Sequence, residues 1–306
     1  MNEKVLGKKY KILEKIGNGK FGIVYKGINL KSGESVAIKT EKTGADIRLL
    51  KNETTILKYL YDHGSRSTPI VYWYGVHELW SYLVMSYYEI SLFDYCNQGQ
   101  MALEKIDKII YVCIDILETI HKNYVLHRDI KPQNFMISNE EIYLIDFGFA
   151  CFYVDDKVEH LPRTESQNIV GTPKYVSYHV HDGITNSRRD DLISLGYLYI
   201  YLYCRELPWD TLLRDALKSE TVSRDTLVSG LPNGYEVPNG CEVPNGYEEI
   251  HILHYKNQQR KDMKTWSKLS ETCLRINQKI YDFLNYCYNL RYDATPNYDA
   301  LKQSFM

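Results

Sequence analysis

The sequence lacks the features typical of membrane, disulfide-bonded and polyanion-binding proteins. Its seven cysteines are scattered and form no Cys-x-x-Cys pair, which argues against a disulfide framework or a zinc site and favours a reducing compartment. The longest apolar run, Leu192 to Cys204, contains Ser194 and Gly196 and is well short of the ~20 residues of a membrane span. The first residues lack the apolar core of a signal peptide. A net charge of -2 gives no global attraction to nucleic acid or anionic membrane. We therefore expect an intracellular protein, cytoplasmic or nuclear, that binds neither.

The sequence does contain enough apolar material for a sizeable core. Its 306 residues are 44% hydrophobic, which suits one large or two small globular domains. Its most informative stretch is His127 to Asn134, His-Arg-Asp-Ile-Lys-Pro-Gln-Asn, followed twelve positions later by Asp146-Phe147-Gly148.

These residue types at these offsets are typical of phosphoryl transfer. Asp129 would accept a hydrogen bond from the substrate hydroxyl, and Lys131 would neutralise charge on the moving phosphoryl group. Asn134 and Asp146 would hold the Mg²⁺ ions that bridge the phosphates of ATP. The alternative interpretation is a polar turn between a helix and a strand.

A glycine-rich segment precedes this loop in the chain. Residues 10 to 16 alternate like a strand and lead into Gly-Asn-Gly-Lys-Phe-Gly. In a dinucleotide-binding turn the third glycine opens a helix, but here β-branched and aromatic residues continue as a second strand. A hairpin folded over phosphates fits better, because glycines let backbone N–H groups approach the phosphate oxygens closely. The predicted ATP-binding residues of the hairpin are Ile16, Gly17, Asn18, Gly19, Lys20, Phe21, Gly22, Ile23 and Val24.

The next strand, Ser35 to Thr40, contains Ala37 and Lys39. An exposed lysine at a strand end is usually a solvated charge. Apolar residues between Ala45 and Tyr61, however, fall at helical spacing, with Glu53 on their inward face. A buried carboxylate needs a partner, so the sequence predicts a Lys39–Glu53 pair that aims the lysine at the α- and β-phosphates.

Further strands and helices are predicted around these motifs. Strand-like runs at 70–74 and 80–84 would complete a small antiparallel sheet, and Met85 to Tyr88 would form a hinge that pairs with adenine. An amphipathic helix through residues 106–120 would lead into the His127 loop, and a short strand at 142–145 would lead into Asp146. Ala37, Met85, Tyr88, Lys39, Glu53 and Asp146 complete the predicted ATP-binding set.

A long loop runs from Gly148 to Gly171-Thr172-Pro173 and has the size of an activation segment. Thr172 is predicted to hydrogen-bond near Asp129 and Lys131, and it joins Asp129, Lys131 and Asn134 in the predicted catalytic set. Asp191 opens the apolar helix that follows. An N-cap is the commoner role for such an aspartate, but in this context we favour a second role, in which Asp191 tethers the backbone of the catalytic loop.

From about Tyr10 to Phe305, apart from one insertion, the chain resembles protein kinases of the casein kinase I family. The resemblance rests on the segments Asp146 to Ala150, Gly171 to Ser177, Asn186 to Tyr197, Leu207 to Trp209 and Leu290 to Asp293. It implies transfer of the ATP γ-phosphoryl group to Ser or Thr of protein substrates, with Mg²⁺, and activity without phosphorylation of the activation segment.

Several residues depart from the pattern of that family. Val176-Ser177-Tyr178 replaces Ser-Ile-Asn, Cys151 replaces a lysine, and Gln167 stands near the position of another basic residue. In the family those lysines and the arginine matching Arg128 bind a phosphate on a primed substrate. The departures predict weakened dependence on priming, with Arg128 and Lys174 as the remaining cations. A strong preference for primed peptides would instead mean that another basic group, such as Lys256 or Arg260, has taken over the site.

Residues between Leu212 and His251 have no counterpart in the resemblance. They contain three copies of a six-residue repeat, Pro-Asn-Gly-Tyr/Cys-Glu-Val/Glu. A β-helix is the alternative for such repeats, but three copies with a proline in each cannot bury a core. The repeat therefore predicts an exposed loop, with helical spacing resuming at Ile276, Ile280, Phe283 and Cys287.

Together these features predict an α+β, bilobal protein kinase fold in a single domain, 1–306. The N-lobe at about 8–85 would be a small antiparallel β-sheet with one helix, the hinge would lie at about 86–90, and the C-lobe at about 91–306 would be mainly α-helical with an insertion at about 213–251. We expect a monomer with ATP and Mg²⁺ as cofactors. A pseudokinase scaffold is the alternative function, and a small-molecule phosphotransferase is a weaker third that Lys131 and Thr172 disfavour.

Overall fold

The computed structural model describes residues 5–19, 22–44, 48–99, 101–166, 168–210 and 245–306. Lys20, Phe21, Gln167 and most of the predicted insertion lie outside the described residues.

The N-terminal part is a curled antiparallel sheet with one helix packed against it. The sheet has six strands in the order β1-β2-β3-β4-β6-β5. Helix α1, Leu49–Asp62, buries Ile56, Leu57 and Leu60 against it. The strands are β1 Val5–Leu6, β2 Tyr10–Gly19, β3 Gly22–Asn29, β4 Ser35–Lys42, β5 Val71–His77 and β6 Trp80–Ser86.

The C-terminal part is mainly helical and is built around one buried helix. The apolar segment from Leu192 to Cys204 forms most of helix α5. This helix is apolar on nearly all sides and lies inside the core. Gly196 in this helix permits close packing, because a Cβ there would lie 2.4 Å from a methyl carbon of Leu284. The helices are α2 Leu92–Asn97, α3 Leu103–Lys122, α4 Tyr178–His181, α5 Arg188–Cys204, α6 Asn245–Met263, α7 Trp266–Ile276, α8 Gln278–Tyr288 and α9 Tyr298–Gln303.

Two small sheets hold the loops of the predicted site. Short strands β9 and β10 form a hairpin on either side of Asn139 and Glu140. The predicted catalytic loop, His127 to Asn134, directly precedes this hairpin. Strands β8 and β11 pair the start of that loop with Cys151, just after Asp146-Phe147-Gly148. The short strands are β7 Ile90–Ser91, β8 Val125–Leu126, β9 Phe135–Ser138, β10 Glu141–Leu144 and β11 Cys151–Phe152.

The α+β fold with a β-sheet N-lobe and a helical C-lobe is confirmed, but several predicted boundaries are wrong. Helix α1 begins at Leu49 rather than near Ala45, and strand β6 continues through Ser86 into the predicted hinge. Helix α6 begins at Asn245, inside the third repeat copy, where the sequence predicted a loop to residue 251. Ile276 ends one helix and Ile280 lies in the next, since Asn277 interrupts the helical spacing. Among the helices in the described ranges, none combines the length and apolarity needed to cross a membrane.

Candidate active site

A cleft of about 1680 Å³ brings the predicted catalytic and ATP-binding residues together from both lobes. The N-lobe contributes residues of β2, β3, β4 and α1, and the C-lobe contributes the loops around β9, β10 and the segment before α4. The predicted residues that line the cleft are Ile16, Gly22, Val24, Ala37, Lys39, Glu53, Met85, Tyr88, Asp129, Lys131, Asn134, Asp146 and Thr172.

The glycine-rich segment forms the hairpin between β2 and β3. Gly17 pairs with Val24, Asn18 with Ile23 and Gly19 with Gly22. Position 22 requires glycine, since a Cβ there would clash with the carbonyl oxygen of Thr40 at 1.7 Å. The hairpin forms part of the N-lobe side of the cleft, which it lines with Ile16, Gly22 and Val24.

Lys39 is held between two carboxylates at the back of the cleft. Its Nζ lies 2.7 Å from Glu53 Oε2 and 2.6 Å from Asp146 Oδ1, so the predicted Lys39–Glu53 contact is present. Burial favours the neutral amine, but the two carboxylates outweigh it and raise the pKa of Lys39 above its usual value. Burial also opposes ionisation of Asp146, yet Lys39 lowers the pKa of that carboxyl. Lys39 is therefore charged, and its ammonium group lies beside Asp146 in the cleft.

Two residues that the sequence analysis did not single out fix the position of α1. Glu41 Oε1 accepts hydrogen bonds from the backbone N–H groups of Leu49 and Leu50, at 3.0 and 3.3 Å, and so caps the helix from strand β4. Asn52 Nδ2 donates to the carbonyls of Gly148 and Ala150, at 3.1 and 2.9 Å. Glu41 had a signal in the sequence, since it lies two residues after Lys39 on the same face of the strand.

Asp129 lies at the centre of the catalytic loop and is 4% exposed. Its Oδ1 accepts from Thr172 N and Thr172 Oγ1, at 2.9 and 2.7 Å, and its Oδ2 accepts from Lys131 Nζ at 2.6 Å. Lys131 also donates to Thr172 Oγ1 at 2.9 Å. The predicted contacts of Thr172 with Asp129 and Lys131 are thus present, and they join the activation segment to the catalytic loop.

Asn134 is oriented by the same aspartate. Its Nδ2 donates to the backbone carbonyl of Asp129 at 2.8 Å and to Asp129 Oδ2 at 3.2 Å. This turns the amide oxygen of Asn134 away from Asp129. Mg²⁺ prefers oxygen ligands, and Asp146 supplies a carboxylate to the same cleft. The donor chemistry of Asn134 and Asp146 therefore fits the metal role predicted for them.

Asp191 holds the backbone of the catalytic loop from below. Its Oδ2 accepts from His127 N at 2.8 Å and from His121 Nε2 at 3.0 Å, and its Oδ1 accepts from Arg128 N at 2.9 Å. Asp191 lies inside the first turn of α5, whose N-cap is Ser187, so the N-cap interpretation is wrong. Burial opposes the charge of Asp191, but the hydrogen bond from His121 lowers the pKa of its carboxyl.

His127 and Arg128 take their conformations from these contacts. Burial lowers the pKa of His127, so its imidazole stays neutral. Its Nε2 donates to Ile145 O at 2.9 Å, and its Nδ1 accepts from Asp129 N at 3.3 Å. Arg128 has a positive φ of 66°, and its Nε donates to Phe149 O at 2.6 Å. The backbone of the loop is therefore strained at Arg128, and the hydrogen bonds to Asp191 stabilise this conformation.

The helix after the insertion forms part of the cleft wall, which the sequence did not predict. His254, Asn257, Gln258 and Lys261 of α6 line the cleft near the activation segment. Lys261 Nζ lies 2.7 Å from Asp182 Oδ1. Arg260 of the same helix donates to Asn257 Oδ1 at 3.1 Å, and neither Arg260 nor Lys256 lines the cleft.

The fold and this arrangement of residues define a protein kinase domain. A family model described as the protein kinase domain matches residues 10–304. The chain belongs to the protein kinase domain family.

Proposed function

We propose that this chain is an active Ser/Thr protein kinase similar to casein kinase I. The observation that carries the proposal is the network of Asp129, Lys131 and Thr172 in front of Asp146. This network joins the base of the reaction to the segment that would carry the protein substrate.

In the proposed mechanism, each side chain positions groups or neutralises charge. Asp129 orients the acceptor hydroxyl and takes up its proton, and Lys131 stabilises the negative charge that develops on the transferred oxygens. Lys39 binds phosphate oxygens and is aimed by Glu53. ATP with Mg²⁺ supplies the phosphoryl group and the cation charge, and Asn134 and Asp146 would hold the metal.

A pseudokinase scaffold is the alternative. Three features favour turnover instead. The described catalytic residues keep their chemical types, and the Lys39–Glu53 pair is formed at 2.7 Å. Arg128 also ties the catalytic loop to the segment after Asp146 without a phosphate, because its Nε donates to Phe149 O.

The charge near the activation segment supports weak dependence on primed substrates. Cys151 offers no cation, since a thiol is neutral and a thiolate is negative, and burial raises the pKa of this thiol and so favours the neutral form. Lys174 Nζ pairs with Asp210 Oδ2 at 2.5 Å, and Lys261 pairs with Asp182. A substrate phosphate would therefore compete with internal partners for each of these lysines.

The test of function is turnover in two variants that keep the shape of the cleft. Asp129→Asn removes the base and Asp146→Asn weakens the metal ligand, and each should lower kcat by at least ~100-fold. Asp299→Asn, on a side chain that is 85% exposed, is the matched control and should keep the wild-type rate. The assay uses radiolabelled ATP with casein and, separately, with aminoglycosides.

Wild-type rates in either cleft variant would contradict the assignment. Absent turnover in the wild-type protein, with ATP still bound, would identify a pseudokinase. Labelling of aminoglycosides in preference to casein would point to a small-molecule phosphotransferase.

A further inference from the structure

Lys264 is fully buried, with 0% exposure, at the point where α6 ends. Lysine is almost never buried to this extent unless its amine is paired. None of the roles described above uses it, and it lies 92 positions after Thr172 in the sequence. Its surroundings show what the amine does.

The amine of Lys264 is enclosed by acceptors from the end of the activation segment. Its Nζ donates to Val176 O at 2.7 Å and to Pro173 O at 3.0 Å, and His181 Nε2 lies 3.2 Å away. The rings of Trp209 and Tyr197 cover it, with centroids 4.7 and 4.9 Å from Nζ. An ammonium has three N–H bonds, and the two carbonyls accept two of them. His181 Nε2, which also lies 3.0 Å from Pro173 O, accepts the third in the tautomer that leaves this nitrogen unprotonated.

Burial lowers the pKa of Lys264, the charge of Arg260 acts in the same direction, and Asp210 opposes them. A neutral amine still has two N–H bonds, enough for both carbonyls. The two carbonyl contacts therefore hold in either protonation state.

The loop from Pro173 to Val176, to which Lys264 donates, is hydrogen-bonded to Asp129 through Thr172. The backbone N–H groups of Tyr175 and Val176 donate to Thr172 O, at 2.8 and 3.0 Å, and Thr172 in turn donates to Asp129. Pro173 and His181 also line the cleft. A shift of the carbonyls at Pro173 and Val176 would thus move Thr172 and the surface on which a protein substrate lies.

A second contact anchors the same loop. Trp209 Nε1 donates to Lys174 O at 3.0 Å. The carbonyls of Pro173, Lys174 and Val176 are therefore all held by side chains of the C-lobe, two of them by Lys264. An apolar residue in the same place would fill the volume but leave two buried carbonyls without these donors.

We propose that Lys264 is a positioning residue for the protein substrate, which acts by clamping the loop from Pro173 to Val176 and thereby fixing Thr172 against Asp129. This rests on the proposed kinase function. Lys264 lies in the C-lobe, whereas Lys39 and the glycine-rich hairpin belong to the N-lobe, so the clamp should affect the peptide substrate and leave ATP binding unchanged.

The test compares Lys264→Met, which keeps the length of the side chain and removes its donors, with Lys264→Gln, which keeps an N–H₂ donor on a shorter stem. Lys268→Met is the control, since Lys268 is an exposed lysine four positions along the chain. Steady-state kinetics give kcat and KM separately for a serine peptide and for ATP, at a temperature well below each variant's Tm. Hydrogen–deuterium exchange of residues 172–178 gives a readout that needs no turnover.

For Lys264→Met we expect kcat/KM for the peptide to fall at least tenfold, KM for ATP to stay within about twofold, and amide exchange in residues 172–178 to quicken. Lys264→Gln should lie between Met and wild type, and Lys268→Met should match wild type. If the wild-type protein had no kinase activity, the exchange experiment would still test the clamp.

Three results would overturn the proposal. One is a lowered Tm with unchanged peptide kinetics and exchange, which is what a lysine that only stabilises the fold would give. Another is an equal loss of ATP and peptide binding. The third is failure of both Lys264 variants to fold, which would make the residue part of the structural core.

Discussion

Replacing Asp191 by asparagine should show how strongly one buried carboxylate supports the catalytic loop. Asparagine keeps the shape of the side chain but has one oxygen, whereas Asp191 uses two to accept three hydrogen bonds. If the amide oxygen takes the place of Oδ2, it can still accept from His127 N and His121 Nε2. The amide nitrogen then faces the N–H of Arg128, donor against donor.

The expected loss of stability follows from these contacts. Leaving the N–H of Arg128 buried and unpaired costs roughly 1 to 3 kcal/mol, and the two remaining hydrogen bonds each lose about 1 kcal/mol when the acceptor is no longer charged. Asp191→Asn should therefore lower the free energy of unfolding by roughly 3 to 5 kcal/mol. The positive φ of Arg128 also loses its main support, so Asp129 shifts and kcat should fall at least tenfold.

Urea denaturation followed by circular dichroism measures the first effect, and peptide phosphorylation measures the second. ATP affinity, from calorimetry, should change less than about threefold, because Lys39 and the hairpin lie in the other lobe. Asp299→Asn, the same chemical change on an exposed helix, should cost less than ~0.5 kcal/mol. A loss of stability below ~1 kcal/mol for Asp191→Asn, or an unchanged kcat, would refute the reasoning.

The remaining predictions concern activation, substrate choice and pH. Because Arg128 Nε already ties the catalytic loop to Phe149 O, the purified protein should be active without a phosphate on its activation segment. Phosphatase treatment, Thr164→Ala and Ser166→Ala should each leave turnover intact, and loss of turnover in all three would contradict this. Lys174 and Lys261 are paired with carboxylates, so we expect only a weak preference for primed substrates. The value of kcat/KM for a peptide with a phosphoserine three residues before the acceptor should exceed that for the unphosphorylated peptide by less than about a hundredfold. A larger ratio of the two kcat/KM values would mean that another basic group binds the phosphate. Burial, helped by Lys264, lowers the pKa of His181 from 6.5 to about 3, so the unfolded state takes up the proton first and stability is lost as pH falls below 6.5. This residue should contribute up to ~1.4 kcal/mol per pH unit to that loss, and His181→Gln should make the pH dependence of urea unfolding shallower by this amount; equal slopes would rule it out.

The sequence by itself determined the chemistry of the cleft and most of the framework that carries it. The alternation from Tyr10 onward gave a strand, the change to β-branched residues after Gly22 gave a hairpin rather than a helix, and Glu53 on an apolar helix face required a cation. These inferences succeed because alternation, helical spacing and the need to pair a buried charge are local properties of the chain.

The tertiary structure alone decided which distant residues support that chemistry. The sequence favoured Asp191 as a tether of the catalytic loop, but only the packing of α5 shows which backbone groups it meets, the N–H groups of His127 and Arg128. Ser187 and Asp190 form the capping box of the same helix. Asn52 and Lys264 have side chains of ordinary type at unremarkable spacing, and their partners lie 96 and 88 positions away. Which buried carbonyl meets which donor depends on how α1 and α6 pack against the activation segment, and packing over such separations has no signature in local sequence.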